Sequence, residues 1–233
     1  MNEFTYVFLC FLGASLILQY WLASRQYQHV LKHRSQVPDA FKDKIGLDEH
    51  QKAADYTFAK IKLGRVDLLV SAVLLLGWTI GGGLELLDQY WRGLELSSIQ
   101  TGIGMMISAM LVMSALDLPL AVYSTFVIEK KFGFNKTTVK LFIIDLIKGA
   151  ALTLVIGTPL LWVVLWIMEI SGPLWWLYVW AVWFSFGLIM MWAYPAFIAP
   201  LFNKFNPLEN EELKTRIENL MKKCGFISNG IFV

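Results

Sequence analysis

The sequence has few charged residues. Asp, Glu, Lys and Arg together make up 16% of its 233 residues, whereas 57% of the residues are hydrophobic. Water-soluble domains of ordinary composition carry about 25% charged residues, so this composition excludes that class before any motif is considered. The chain is expected to be an integral membrane protein.

Cysteine and histidine are scarce as well. Cys10 lies in an apolar stretch and Cys224 in a polar tail, so a disulfide framework is excluded. The three histidines are His29, His33 and His50. His29 and His33 have the spacing of two zinc ligands on one helical face, but Val30 stands where the motif H-E-x-x-H needs its glutamate. We therefore expect no catalytic, cofactor-binding or metal-binding residue in this chain, and no zinc bound by it.

The sequence contains five long apolar stretches. A spanning helix needs roughly 20 mainly apolar residues, because about 30 Å of hydrocarbon is crossed at 1.5 Å per residue. Pro119 predicts a kink or tilt in the third stretch, and Pro195 and Pro200 predict a stop or bend in the fifth. The five expected spans are 4–24, 67–87, 99–128, 141–168 and 173–202. The predicted fold class is an all-α integral membrane protein, a bundle of about five transmembrane helices.

Basic residues are distributed unequally among the connections between these spans. The connections at 25–65 and 129–140 and the tail after 203 carry 18 Lys and Arg together, whereas those on the other side carry one, Arg92. Basic connections remain in the cytoplasm. The N-terminus is therefore predicted to lie outside, with the C-terminal tail in the cytoplasm.

Three of the ionisable residues within the expected spans, Asp117, Asp145 and Lys148, are candidates for a polar site or an interhelical contact. Asp117 is deep in the third span, where a carboxylate normally faces a cavity or the protein interior. It either lines a polar chamber or forms an interhelical contact, for example with Lys148. Asp145 and Lys148 are three residues apart and can pair along the fourth helix. Such a pair can hold neighbouring helices together without any chemistry, and we prefer that interpretation.

The composition becomes polar near residue 206. Asn206 and Pro207 are expected to open an amphipathic helix that ends at Gly225, and residues 227–233 to form a turn followed by the start of a strand. One helix and part of a strand cannot bury a core. We therefore expect a polytopic transmembrane domain at 1–205 and, at 206–233, the truncated start of a cytoplasmic α+β domain.

Three strings are more specific than composition. Residues 50–57 read HQKAADYT, residues 125–138 read TFVIEKKFGFNKTT, and residues 198–208 read IAPLFNKFNPL. With the hydropathy pattern, they resemble the N-terminal membrane region of type I CAAX prenyl proteases, in a form typical of bacterial members. This resemblance implies a ring of helices around a polar intramembrane chamber and a cytoplasmic zinc protease domain. It also implies that the 129–138 loop and the exit at 195–205 contact that domain.

The function implied by the resemblance is that of a zinc metalloendopeptidase that cleaves prenylated or membrane-associated peptides. Zinc belongs to the complete protein, and this segment alone is expected to be inactive. Its expected partners are the lipid bilayer, a lipidated peptide substrate and its own protease domain, with no nucleic acid. The expected location is a bacterial inner membrane. The alternatives from other classes are a transporter subunit built around Asp117, Asp145 and Lys148, and a non-catalytic membrane scaffold.

Overall fold

Helices make up nearly all of the regular structure in the computed structural model, which describes residues 2–226 and 230–232. Among these residues, four helical segments are long and apolar enough to cross a membrane, and a fifth is added when a bent pair of helices counts as one span. The all-α membrane class predicted from the sequence is confirmed. The chain divides into two compact units, Met1–Trp162 and Val163–Val233.

Helix α1 spans Glu3–His33 and packs along α2, which spans Leu47–Thr79. Helix α1 continues past the end of the apolar stretch 4–24, and α2 begins well before the start of the stretch 67–87. Charged and polar residues near the ends lower the hydropathy of a segment, but they do not interrupt a helix whose backbone hydrogen bonds are all internal. The Asn2 side chain caps α1 by accepting a hydrogen bond of 3.0 Å from the backbone N–H of Thr5.

The expected span 67–87 is broken in the structure. Helix α2 ends at Thr79, and α3, Gly83–Arg92, follows at an angle of 45°. Gly82 adopts φ +81°, a left-handed conformation that side chains beyond glycine rarely adopt. The three consecutive glycines therefore make a corner in the chain.

Helix α4, Ser98–Tyr123, passes through Pro119 and continues as a π-helical segment, Ser124–Glu129, and a short helix α5, Lys130–Phe132. Helix α6, Val139–Leu152, is joined to α7, Thr158–Ile170, by a second π segment, Thr153–Gly157. A π turn holds one more residue than an α turn, so it rotates the side chains that follow it.

The second compact unit contains α8, Trp175–Ala193, a third π segment, Tyr194–Ile198, and α9, Ala199–Phe202. The chain becomes extended at Asn203, so the helical segment passes through Pro195 and Pro200 and stops after Phe202. The stop near Pro200 is as expected.

The tail differs in detail from the sequence prediction. Its helix α10 spans Glu211–Lys223 and is capped by Asn210, so Asn206 and Pro207 do not open it. Pro207 instead forms an isolated antiparallel bridge with Phe232. Gly225, at φ +73°, follows the helix end, as predicted. Of the strand expected at 227–233, residues 227–229 and 233 lie outside the described residues.

Helix α3 is fixed to α4 by one aromatic side chain. The Trp91 indole Nε1 donates a hydrogen bond of 2.9 Å to Ser108 Oγ, and its ring lies over Gly104. A Cβ atom at Gly104 would come within 2.5 Å of that ring. The close approach of the two helices therefore depends on glycine at this position.

We predict that Gly104→Ala lowers the stability of the protein by about 1–3 kcal/mol, because the added methyl group overpacks the contact with Trp91. The measurement is thermal unfolding of the purified protein in detergent. Gly149→Ala is the matched control, since a Cβ at Gly149 meets nothing within 4 Å. Equal stability of the two variants would contradict the close contact between α3 and α4.

Candidate functional site where α2 meets the end of α4

The centre of the candidate site is the carboxylate of Glu129. Tyr56 Oη donates a hydrogen bond of 2.7 Å to Glu129 Oε1, and Lys60 Nζ donates to the same oxygen at 3.3 Å. Lys60 Nζ also donates to Ser124 Oγ at 3.2 Å. Tyr56 and Lys60 are four residues apart, so they lie on one face of α2. These contacts join α2 to the π segment at the end of α4.

Aromatic rings close this junction. The ring centroid of Tyr56 lies 5.3 Å from that of Phe132 and 5.0 Å from that of Phe134, both edge-to-face. Gly133, at φ +83°, turns the chain between the two phenylalanines. The backbone N–H of Phe134 then donates a 2.8 Å hydrogen bond to the carbonyl oxygen of Glu129. The strings at 50–57 and 125–138 thus meet around Tyr56.

A second polar contact joins the end of α1 to α2, next to Tyr56. Arg34 Nε and Nη2 donate hydrogen bonds of 2.8 Å and 3.0 Å to the two carboxylate oxygens of Asp55. This two-pronged bond raises the pKa of the Arg34 guanidinium above its ordinary value. Because Asp55 precedes Tyr56, both contacts fix the same turn of α2.

A groove lies beside these contacts, between α2 and the continuous helical segment 98–132. Its cavity volume is about 830 Å³. Its lining is mainly apolar and includes Phe58, Leu63 and Val127, with Lys62 and Lys131 among the charged residues. The site therefore combines an apolar groove with a polar junction at one end.

The residues singled out from the sequence are not part of this junction. Asp117 is exposed on α4, and in the described part of the chain no hydrogen bond or ion pair holds its carboxylate. Asp145 and Lys148 are half-exposed, and Lys148 Nζ lies 3.6 Å from Asp145 Oδ1. That spacing allows the pairing inferred from the sequence. The roles of all three residues stay predictions.

Residues 26–204 match the family model described as CAAX prenyl protease N-terminal, five membrane helices. The chain belongs to the CAAX prenyl protease family. A CAAX prenyl protease 1 homolog of Oryza sativa is 33% identical, with 97% of this chain and 54% of the relative covered. CAAX prenyl protease 1 of Saccharomyces cerevisiae is 32% identical, with 94% and 50% covered.

A solved structure extends the likeness to the whole chain. The crystal structure of S. mikatae Ste24p matches with a TM-score of 0.86 and 31% sequence identity, and the match covers 100% of this chain and 55% of that one. This chain spans about half the length of these CAAX prenyl proteases. The resemblance deduced from three short strings is thereby confirmed.

The CAAX prenyl protease family is a family of zinc metalloproteases, but the described residues of this chain do not fit a zinc ion. No group of three or more His, Cys, Asp or Glu side chains lies together in residues 2–226 and 230–232. His33 Nδ1 lies 2.8 Å from the carbonyl oxygen of His29, and His50 Nε2 lies 2.9 Å from that of His33. A carbonyl oxygen accepts only, so these two nitrogens carry the protons and donate these hydrogen bonds.

Sequence reasoning identified the strings of the junction but not its contacts. The usable signal was the placement of Tyr56 and Lys60 on one helical face, with Glu129 as the acidic residue at the head of a basic loop. Which acid meets which base across two helices depends on tertiary geometry, because many carboxylates and lysines lie near these membrane boundaries.

We predict that Tyr56→Phe lowers the apparent Tm of the purified protein by roughly a few degrees, because Glu129 loses a hydrogen-bond donor while the aromatic packing is kept. The measurement is a thermal melt in detergent. Tyr6→Phe is the control, since the Tyr6 side chain is 59% exposed. A Tm for Tyr56→Phe that equals the Tm of the control would argue against a stabilising role for the bond.

Proposed function

We propose that this chain is the membrane region of a zinc metalloendopeptidase that hydrolyses peptide bonds of prenylated or membrane-associated substrates. The observation that carries the proposal is the match of the entire chain to about half of the Ste24p crystal structure. The family assignment of residues 26–204 supports the same conclusion. In this proposal zinc is held by a part of the protease outside this chain, so the chain alone is inactive.

The junction around Glu129 gives this chain a specific task in such a protease. It fixes the ends of α1, α2 and α4 against one another through Arg34–Asp55 and Tyr56–Glu129. The loop 129–138 starts directly at this junction. We propose that this loop and the exit at 195–205 support the protease domain, whose first residues are 206–233.

The proposed orientation places the basic connections in the cytoplasm and the N-terminus outside. It is supported by the contacts between Arg34 and Asp55 and between Lys60 and Glu129, which bring two of the basic segments to the same end of α2. The relatives named above come from a plant and from fungi. The bacterial inner membrane therefore stays a prediction from the sequence pattern.

The catalytic proposal predicts activity by complementation. This chain would be co-expressed in membranes with the C-terminal half of the Oryza sativa relative, the half that follows the matched region. Membranes with both parts should cleave a farnesylated CAAX peptide, and a zinc chelator should abolish the cleavage. Membranes with either part alone should show none, since neither part then contains both a chamber and a zinc site.

The N-terminal half of the Oryza sativa relative, co-expressed with the same C-terminal half, is the matched control. Activity of the control pair without activity of the test pair, at equal membrane insertion, would count against the protease proposal. If the test pair co-purified without cleaving, the non-catalytic scaffold would be favoured. Cleavage by this chain alone would refute its predicted inactivity.

The orientation is tested by labelling single cysteines in intact cells with a membrane-impermeant maleimide. In a variant without the native cysteines, Glu95→Cys should be labelled from outside, because residue 95 lies in the connection poor in basic residues. Asp43→Cys, in the basic connection between α1 and α2, should be labelled only after permeabilisation. The reverse pattern would invert the proposed topology.

A further inference from the structure

The described residues contain three π segments, and two of these have a cause in their own sequence. Each of the two is followed, two residues after its end, by a proline: Thr153–Gly157 by Pro159, and Tyr194–Ile198 by Pro200. A proline has no N–H and crowds the carbonyl oxygen four residues earlier, which here lies inside the π segment, so a wider turn relieves the clash.

The π segment Ser124–Glu129 has no such cause. Lys131 stands two residues after its end. Pro119 precedes the segment, and the carbonyl group that it crowds, that of residue 115, lies still earlier in α4. The wider turn at Ser124–Glu129 therefore needs a cause outside its own sequence.

A lysine of α2 bonds both ends of this segment. Lys60 Nζ donates hydrogen bonds to Ser124 Oγ at 3.2 Å and to Glu129 Oε1 at 3.3 Å, the first and the last residue of the segment. Residues five apart are separated by about 140° around an α-helix, because each residue turns by about 100°. A π turn closes its hydrogen bond between residues i and i+5, so it brings two such residues to one face. The two bonds of Lys60 therefore favour the π arrangement.

The contacts that follow the segment depend on the same arrangement. Tyr56 Oη donates a hydrogen bond of 2.7 Å to Glu129 Oε1, and the Tyr56 ring lies edge-to-face against Phe132, which is 7% exposed. If residues 124–129 were α-helical, the residues after them would turn by about 100° around the helix axis. Phe132 would then leave the ring of Tyr56 and lose its buried position.

Both arrangements satisfy the backbone. Each N–H bonds the carbonyl oxygen five residues earlier in a π-helix and four residues earlier in an α-helix. A change from one to the other therefore leaves no backbone group unpaired in a place from which water is excluded. Because no proline fixes the turn here, the balance between the two arrangements rests on the side chains of α2.

We propose that residues 124–129 form a two-state helical segment that α2 controls. Lys60 and Tyr56 hold the π state through Glu129, and loss of their hydrogen bonds returns the segment to an α-helix. The return turns Phe132 and the loop 129–138 away from α2, so α2 sets the direction in which this loop points. The inference does not depend on the proposed protease function, since it requires only the contacts between α2 and the end of α4.

The test places 4-fluorophenylalanine at position 132 of the purified chain in detergent and follows its fluorine NMR signal with a water-soluble gadolinium chelate. The signal of the otherwise unmodified chain should be shielded from the chelate, because Phe132 is buried. Lys60→Met with Tyr56→Phe should raise the population of an exposed signal at least about tenfold, since the hydrogen bonds that are lost end on a charged group.

The matched control is Lys62→Met with Tyr6→Phe. Lys62 also lies on α2, is exposed and, among the described residues, makes no hydrogen bond or ion pair. Tyr6 is exposed on α1. The control should keep the shielded signal. Equal spectra of the control and of the Lys60→Met, Tyr56→Phe variant would overturn the proposal.

A rescue variant separates a change of helix type from a simple loosening of the contact. Lys131→Pro places a proline two residues after the segment, as Pro159 and Pro200 are placed. Added to Lys60→Met and Tyr56→Phe, it should restore the shielded signal, because the proline favours the π state without help from α2. An exposed signal that this proline does not reverse would refute the two-state segment. Lys131→Pro alone should keep the signal shielded, and exposure in that variant would contradict the role given to proline.

Discussion

The constraint on which this structure depends is the absence of water in the hydrocarbon layer, where every backbone N–H and C=O group needs a partner within the protein. The chain meets it by continuing its helices through residues that usually end them. Pro159 and Pro200 lack an N–H and crowd the carbonyl four residues earlier. Both prolines lie within two residues after a π segment, Thr153–Gly157 and Tyr194–Ile198, whose wider turn gives that carbonyl room.

The same constraint concentrates specific polar contacts where helices leave the hydrocarbon. The bonds between Arg34 and Asp55 and between Tyr56 and Glu129 join three helices near the basic connections. Elsewhere many large apolar side chains are exposed on the protein surface. A helix in lipid gains little from burying apolar area against another helix, so polar contacts and close packing carry more of the specificity. Trp91 on Gly104 is the corresponding contact at α3 and α4.

Hydropathy alone predicted the all-α membrane class, because each span needs a long apolar run. It could not predict that α1 and α2 continue through residues 25–33 and 47–66, since charge lowers hydropathy without breaking a helix. The corner at Gly82 was missed because three glycines suit close helix packing as well as a turn. Asp117 drew attention by its depth, yet Glu129 and Asp55, near a boundary, are carboxylates with defined hydrogen-bond donors. The depth of a residue within a span can be deduced from the sequence. Its hydrogen-bond partners on another helix can be identified only from the tertiary structure.

The π segment Ser124–Glu129 also sets the direction in which the side chains after it point. Its extra residue turns the next part of the helix by about 100° relative to an uninterrupted α-helix, while the axial length changes by only about 1.5 Å. That turn presents Glu129 to α2 and Lys131 to the groove. Loss of a single residue here would leave a continuous helix that still spans the membrane but faces the wrong neighbours. Related chains should therefore tolerate changes of residue type in this segment more readily than changes of length.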